Sequence, residues 1–180
     1  MELDEAIRGR RSIRRYTDRP VSLDLVREVL EAGTWAPSAK NGQQWRFTVL
    51  TGEAKKRLTD LFRSELQALS AKLIHPNMGS SFSSCSIMEQ APVLIMVWNT
   101  GDHPVLLQSV AAAIQNMLLK AYSLGLGSLW IGDIYYTLDA LTKHLRKPWK
   151  LVAAVTLGWP ESIPTARPRL TVDEVSEFLS

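Results

Sequence analysis

Tyr122-Ser123-Leu124-Gly125-Leu126-Gly127-Ser128-Leu129-Trp130-Ile131-Gly132 is the stretch on which the fold class turns. Gly125-Leu126-Gly127 supplies the first two glycines of a G-x-G-x-x-G dinucleotide turn. Trp130 occupies the third glycine position, and the stretch closes a helical pattern where a Rossmann turn would open one. A helix C-cap followed by a turn explains both glycines. The motif therefore gives no reason to build a doubly wound sheet.

Upstream, His103-Pro104 opens a helix that reaches about Leu124. Its Leu106, Val110, Ala113, Ile114, Met117, Leu118 and Ala121 make it apolar almost all round, which suits a core or a subunit interface. Pro92 to Trp98 is a continuous apolar run, as in a strand covered on both faces. Downstream, Ser128–Ile131 reads as a short strand, Leu138–Leu145 as a helix and Leu151–Leu157 as a buried strand. Thr171-Val172-Asp173-Glu174 fits a capping box.

Toward the N-terminus, residues 2–9 read as a short helix, and Ser22 as the N-cap of a helix with Leu25, Val26, Val29 and Leu30 on its apolar stripe. Gly33, Pro37, Asn41 and Gly42 mark a loop. Trp45–Val49 alternates as a half-buried strand does. Glu53 to Leu73 is an amphipathic helix, and the Ser- and Gly-rich residues 75–86 read as a mobile loop. Three or four strands under several helices, without strict βαβ alternation, give an α+β class. Residues 1–180 read as one domain.

Composition agrees with a globular chain: 180 residues, 46% hydrophobic, 22% charged and a net charge of +3. Cys85 is the only cysteine, so neither an intrachain disulfide nor a multi-cysteine metal site is expected. His75, His103 and His144 are not at metal-ligand spacing. The longest apolar run, Ala91 to Trp98, is far short of the roughly 20 residues a membrane span needs. MELDEAIRGRR lacks the apolar stretch of a signal peptide, so a cytoplasmic protein is expected.

No nucleophile elbow and no phosphate-binding P-loop occurs. Arg8, Arg10, Arg11, Arg14, Arg15 and Arg19 crowd the first twenty residues, and Arg167 and Arg169 recur beside prolines. If the first helix continues, Arg10 and Arg14 share a face. Arg167 and Arg169, two apart in an extended stretch, point to one side. Two such sets suit a phosphate, which accepts bidentate arginine bonds. Pro37-Ser38-Ala39-Lys40-Asn41-Gly42-Gln43-Gln44-Trp45 is rich in amides, which read the mixed donor and acceptor edge of a heterocycle. A phosphate-bearing aromatic cofactor fits both features. A basic module for nucleic acid or another polyanion, built on residues 8–19, is the reading from a different class.

Four blocks, in order along nearly the whole chain, resemble the FMN-dependent nitroreductase family. They are Arg10-Arg11-Ser12-Ile13-Arg14-Arg15-Tyr16, Ala36 to Trp45, Gly125 to Gly132, and Leu157-Gly158-Trp159-Pro160 followed by Arg167-Pro168-Arg169. Gln44 departs from the family's usual proline. The resemblance implies a mainly antiparallel sheet flanked by helices, in an intertwined homodimer with FMN in a cleft between subunits. It implies that Arg10, Arg11, Ser12, Arg167 and Arg169 hold the phosphate and ribityl chain, with Arg14 near the N1/O2 end of the flavin. Pro37, Ser38, Asn41 and Gln43 would come from the other subunit to line the ring. Leu129, Trp130, Ile131 and Gly132 would approach the N5/O4 side, mainly through backbone groups. NADH or NADPH would be the hydride donor and a small molecule such as a nitroaromatic or quinone the acceptor, with no dedicated catalytic side chain, no metal, no nucleic acid and no membrane. A narrower task within the family, dehalogenation or flavin supply, stays open.

Overall fold

The computed structural model describes residues 1–72 and 78–179. Its core is a four-stranded antiparallel sheet made of β1 (Trp45–Leu50), β2 (Val93–Asn99), β3 (Gly127–Ile131) and β4 (Lys150–Gly158). The spatial order is β1-β2-β4-β3, which leaves β1 and β3 at the edges. The antiparallel sheet and its flanking helices match the expected α+β class.

Side chains alternate across a strand, so a central strand can feed two layers. On β2, Val93, Ile95 and Val97 face one layer, while Leu94, Met96 and Trp98 face the other. The first layer is α2 (Leu23–Thr34) and α5 (Pro104–Ser123), packed through Val26, Val29, Ala113, Ile114 and Met117. The second contains α3 (Gly52–Ser70), α4 (Met78–Gln90) and α6 (Leu138–Leu145), with Leu58, Phe62, Leu66, Met88 and Leu141. Burial on both faces is why Val93–Asn99 is an unbroken apolar run. Short α1 (Leu3–Gly9) and α7 (Val172–Val175) lie near the ends of the chain.

Local signals hold where caps specify them. Ser22 Oγ accepts from the Leu25 N–H at 3.3 Å. Thr171 and Glu174 close a capping box on α7. α5 ends as a Schellman motif, in which Gly125, at φ +75°, donates its N–H to the Tyr122 carbonyl at 2.9 Å. Leu126 N–H donates to the Ala121 carbonyl at 2.9 Å.

One expectation about the elements needs correction. Residues 78–86 belong to helix α4 rather than a mobile loop; residues 75–77 fall outside the described residues, as does Leu73 of the expected α3 end. Tertiary packing overrides the weak helix propensity of the serines: Met78, Ser81, Ser84, Cys85 and Met88 are all buried. Ser83 and Ser86 satisfy their hydroxyls on carbonyls one turn back, Gly79 at 3.0 Å and Phe82 at 3.2 Å. α5 takes the core place expected of it along most of its length, and its open apolar residues include Val105 and Leu107 in the first turn.

Candidate functional site

The site is built around the seam that follows α1. The helix stops at Gly9 and the chain runs on without helical structure. Arg10 and Arg14 therefore do not share a helical face, contrary to the sequence expectation. Ser12 bridges to Ser128 of β3, and the Ile13 N–H donates to the Ser128 carbonyl at 3.0 Å. Tyr16 bridges to Pro160, and its hydroxyl lies 2.7 Å from Thr156 Oγ1. Gly127 makes the close approach possible: a Cβ there would come within 2.8 Å of the Ile13 side chain.

This seam sets the arginine segment opposite residues 164–169. Between them lies a cavity of about 490 Å³, lined by Arg8, Arg10, Arg11, Ser12, Arg14, Arg167 and Arg169, with no acidic residue in its lining. The volume is in the range of small-molecule sites. Two arginine sets more than 150 residues apart thus meet at one place. Arg8 is the residue that sequence reasoning left without a role, although it stands in the same basic run.

The cavity is electrostatically unbalanced. Burial, then the charges of Arg169 and Arg11, hold the Arg10 guanidinium below its ordinary value. Arg10 Nε and Arg11 Nε are buried with no hydrogen-bond partner among the described residues. Orphaned donors of this kind are costly without an acceptor. Arg11 is partly committed elsewhere: its Nη1 donates to the Arg8, Gly9 and Arg10 carbonyls at 2.6, 3.0 and 2.9 Å, satisfying the C-terminal end of α1. Arg169 Nη1 leans on the Pro168 carbonyl at 3.2 Å. A phosphate would neutralise this cluster and accept from its free donors, so the residues fit a phosphate-bearing group.

The expected ring-side residues divide. Leu129 and Ile131 point into the core among Met96, Ala154 and Ile134. Only their backbone can face a ligand. Trp130 projects the other way, 38% exposed, into a second cavity that includes His103, Pro104 and Leu107 of the α5 start. Gly132 is exposed, and a Cβ on it would meet no atom within 4 Å.

Pro37, Ser38, Asn41 and Gln43 do not line the arginine cavity of their own chain. Their loop is nonetheless held in an unusual shape. Lys40, Asn41 and Gln43 have φ of 54°, 51° and 46°, the left-handed region. Ser38 Oγ accepts from the Gln43 N–H at 3.1 Å, and Ser109 Oγ from the Ala39 N–H at 3.3 Å. Such strain concentrates at functional sites.

Other candidate groups take structural parts. His103 Nδ1 accepts from the Val105 N–H at 3.2 Å and caps α5. His144 sits in the last turn of α6, and His75 falls outside the described residues. Cys85 is buried in α4, with Sγ 3.6 Å from Glu89 Oε1. Glu89 is gripped in turn by Arg63, through contacts of 2.8 and 2.6 Å. The sequence placed Cys85 in the Ser- and Gly-rich segment read as a loop; the fold puts it in a helix and brings Arg63 to its partner Glu89.

Comparison with known proteins agrees with this geometry. A family profile described as "Nitroreductase family" matches residues 7–159. A Methanothermobacter thermautotrophicus protein that carries the name NADH dehydrogenase/NAD(P)H nitroreductase is 29% identical, over 97% of this chain and 86% of its own. A similarly named Archaeoglobus fulgidus protein is 31% identical, over 84% of this chain and 82% of its own. Among solved structures, a Desulfovibrio desulfuricans protein named as a nitroreductase, crystallised in complex with FMN, is 34% identical. It has a TM-score of 0.79 and covers 100% of this chain and 98% of its own.

Proposed function

Because the chain belongs to the nitroreductase family, we propose that residues 1–180 form one FMN-binding domain of an oxidoreductase that passes electrons from NADH or NADPH to an organic acceptor. The observation that carries this reading is the meeting of Arg10, Ser12 and Arg14 with Arg167 and Arg169 around a cavity that no acid lines. FMN, when bound, supplies the redox chemistry. The chain's own residues bind and orient. Arg10, Arg11, Arg167 and Arg169 hold the phosphate, Ser12 donates to it or to the ribityl chain, and Arg14 places positive charge near the ring. Leu129, Trp130, Ile131 and Gly132 offer backbone groups along the β3 edge.

The ring site is completed in this reading by a second copy. Pro37, Ser38, Asn41 and Gln43 lie outside their own chain's arginine cavity. Ile163, Leu170, Val172, Val175, Phe178 and Leu179 stay exposed beyond β4, as an arm that covers a partner would be. Donor and acceptor take turns in one cleft, which gives ping-pong kinetics. A nitroaromatic or quinone is the expected acceptor class. No single titratable side chain is required, and the location is cytoplasmic. Among the described residues no helix is long and apolar enough to cross a membrane.

The test is direct. Protein purified with excess FMN should retain flavin absorbance through gel filtration, lose it on anaerobic addition of NADPH or NADH, and regain it with a nitroaromatic. A protein that retains no flavin would overturn the reading.

A further inference from the structure

Two serines of α4 grip Asp133, the second residue after β3. Ser81 and Ser84 are three apart, so they share one helix face. Both are buried. Ser81 Oγ donates to the Asp133 backbone carbonyl at 3.0 Å. Ser84 Oγ donates to Asp133 Oδ2 at 3.2 Å. Main chain and side chain of one residue are thus held by one helix. Asp133 immediately follows exposed Gly132, on which a Cβ would meet no atom of the described residues within 4 Å. The turn is restrained further on, where the Tyr135 N–H donates to the Gly132 carbonyl at 3.2 Å and the Thr137 N–H to the Ile134 carbonyl at 3.0 Å.

We propose that Ser81 and Ser84 are positioning residues that fix, through Asp133, the backbone of the turn after β3 against the ring of the bound flavin. The inference rests on the proposed FMN site. Its physical basis is preorganisation: backbone groups aimed at a reacting centre are useful only if held within a fraction of an ångström. Leu129 and Ile131 anchor the strand in the core, but Gly132 has no side chain to anchor. The hold on Asp133 adds an anchor directly beside Gly132, ahead of the buried Ile134 side chain. It also explains why a serine-rich segment forms a buried helix, since the hydroxyls of Ser81 and Ser84 are consumed by Asp133.

The experiment compares Ser81→Ala, Ser84→Ala, the double variant and Asp133→Ala with wild type, and uses Ser83→Ala as control. Ser83 is exposed and bonds only within α4. Amide hydrogen exchange of the flavin-free protein is read first. Exchange at Tyr135 and Thr137, whose N–H groups donate to the Gly132 and Ile134 carbonyls, should accelerate about tenfold or more in the double variant and in Asp133→Ala, and stay unchanged in Ser83→Ala. In FMN-loaded protein, affinity for FMN should change less than threefold, because the phosphate end is untouched. The visible circular dichroism of the flavin should change, and its single-turnover reduction by NADPH should slow about tenfold. Unchanged exchange at Tyr135 and Thr137 in the double variant overturns the hold itself. Faster exchange with unaltered flavin dichroism and reduction overturns its role toward the ring. If the double variant does not fold, Ser84→Ala and Asp133→Ala carry the same readouts. Failure of wild type to bind FMN defeats the functional reading instead, and the exchange comparison separates the two.

Discussion

Cys85 carries a prediction that needs no ligand. Burial, aided by the negative charge of Glu89 and opposed by Arg63, pushes its thiol from an ordinary 9.0 up to about 12. A protonated, buried thiol is a poor nucleophile, so Cys85 should react with a disulfide reagent at pH 8 only after denaturation. The same shift has a sign in stability. Between pH 9.0 and about 12 the unfolded chain has released a proton that the folded chain retains. Stability from this group is full below the unfolded value and is lost as pH rises. Urea unfolding at pH 8 and pH 10 should show a smaller alkaline loss in Cys85→Ala than in wild type, by up to about 1.4 kcal/mol per pH unit. Equal losses would contradict the buried, protonated thiol.

Gly127 acts at the same scale. Any Cβ there meets Ile13 at 2.8 to 2.9 Å, so Gly127→Ala must push the arginine seam off β3. Overpacking of this kind costs about 1–3 kcal/mol. The variant should melt lower and bind FMN more weakly, as thermal unfolding and titration would show. Sequence reasoning found the glycine but gave it only a turn. The close approach depends on Ser12 and Ser128 lying side by side, which no local pattern of either segment announces.

At the scale of elements, what the chain announces locally is what folds as read. Gly125 ends α5 because its left-handed φ suits glycine. Gly125→Ala should cost about 1–2 kcal/mol, read as a lower denaturation midpoint. Ser22, Thr171 and the apolar run of β2 are equally legible, since caps and two-sided burial leave marks in adjacent residues. α4 is not legible. Its buried face mixes Met78 and Met88 with two serines and a cysteine, whose burial depends on Asp133 and Thr59 from elsewhere. The meeting of the two arginine sets at one cavity was legible by residue type and by resemblance, but their extended backbone was not. That backbone follows from pairing with β3 and Pro160, distant in sequence.

For the whole molecule, the exposed apolar residues beyond β4 set the expectation. Leu170, Val172, Val175, Phe178 and Leu179 are each more than 60% exposed in the single chain. Obligate dimers bury about 2,000–5,000 Å² or more, and such an arm supplies apolar area of that kind. Light scattering should give about twice the 20.2 kDa chain mass even at low protein concentration. Removal of residues 170–180 should shift the mass toward the monomer and weaken FMN binding together, since the ring loop is assigned to the partner. A stable, flavin-loaded monomer would contradict the shared site.

The central claim is that one phosphate brings together the charge of Arg10 and Arg167 across the chain. Calorimetric titration of wild type, Arg10→Ala and Arg167→Ala with FMN, and with riboflavin as the same ring without its phosphate, tests it most directly. Each charge-assisted bond is worth about 1.5–3 kcal/mol. Wild type should prefer FMN to riboflavin by at least a hundredfold, and each variant should lose about tenfold or more of FMN affinity while its riboflavin affinity stays near that of wild type. Equal affinity of wild type for FMN and riboflavin, or FMN binding unchanged in both variants, would contradict it.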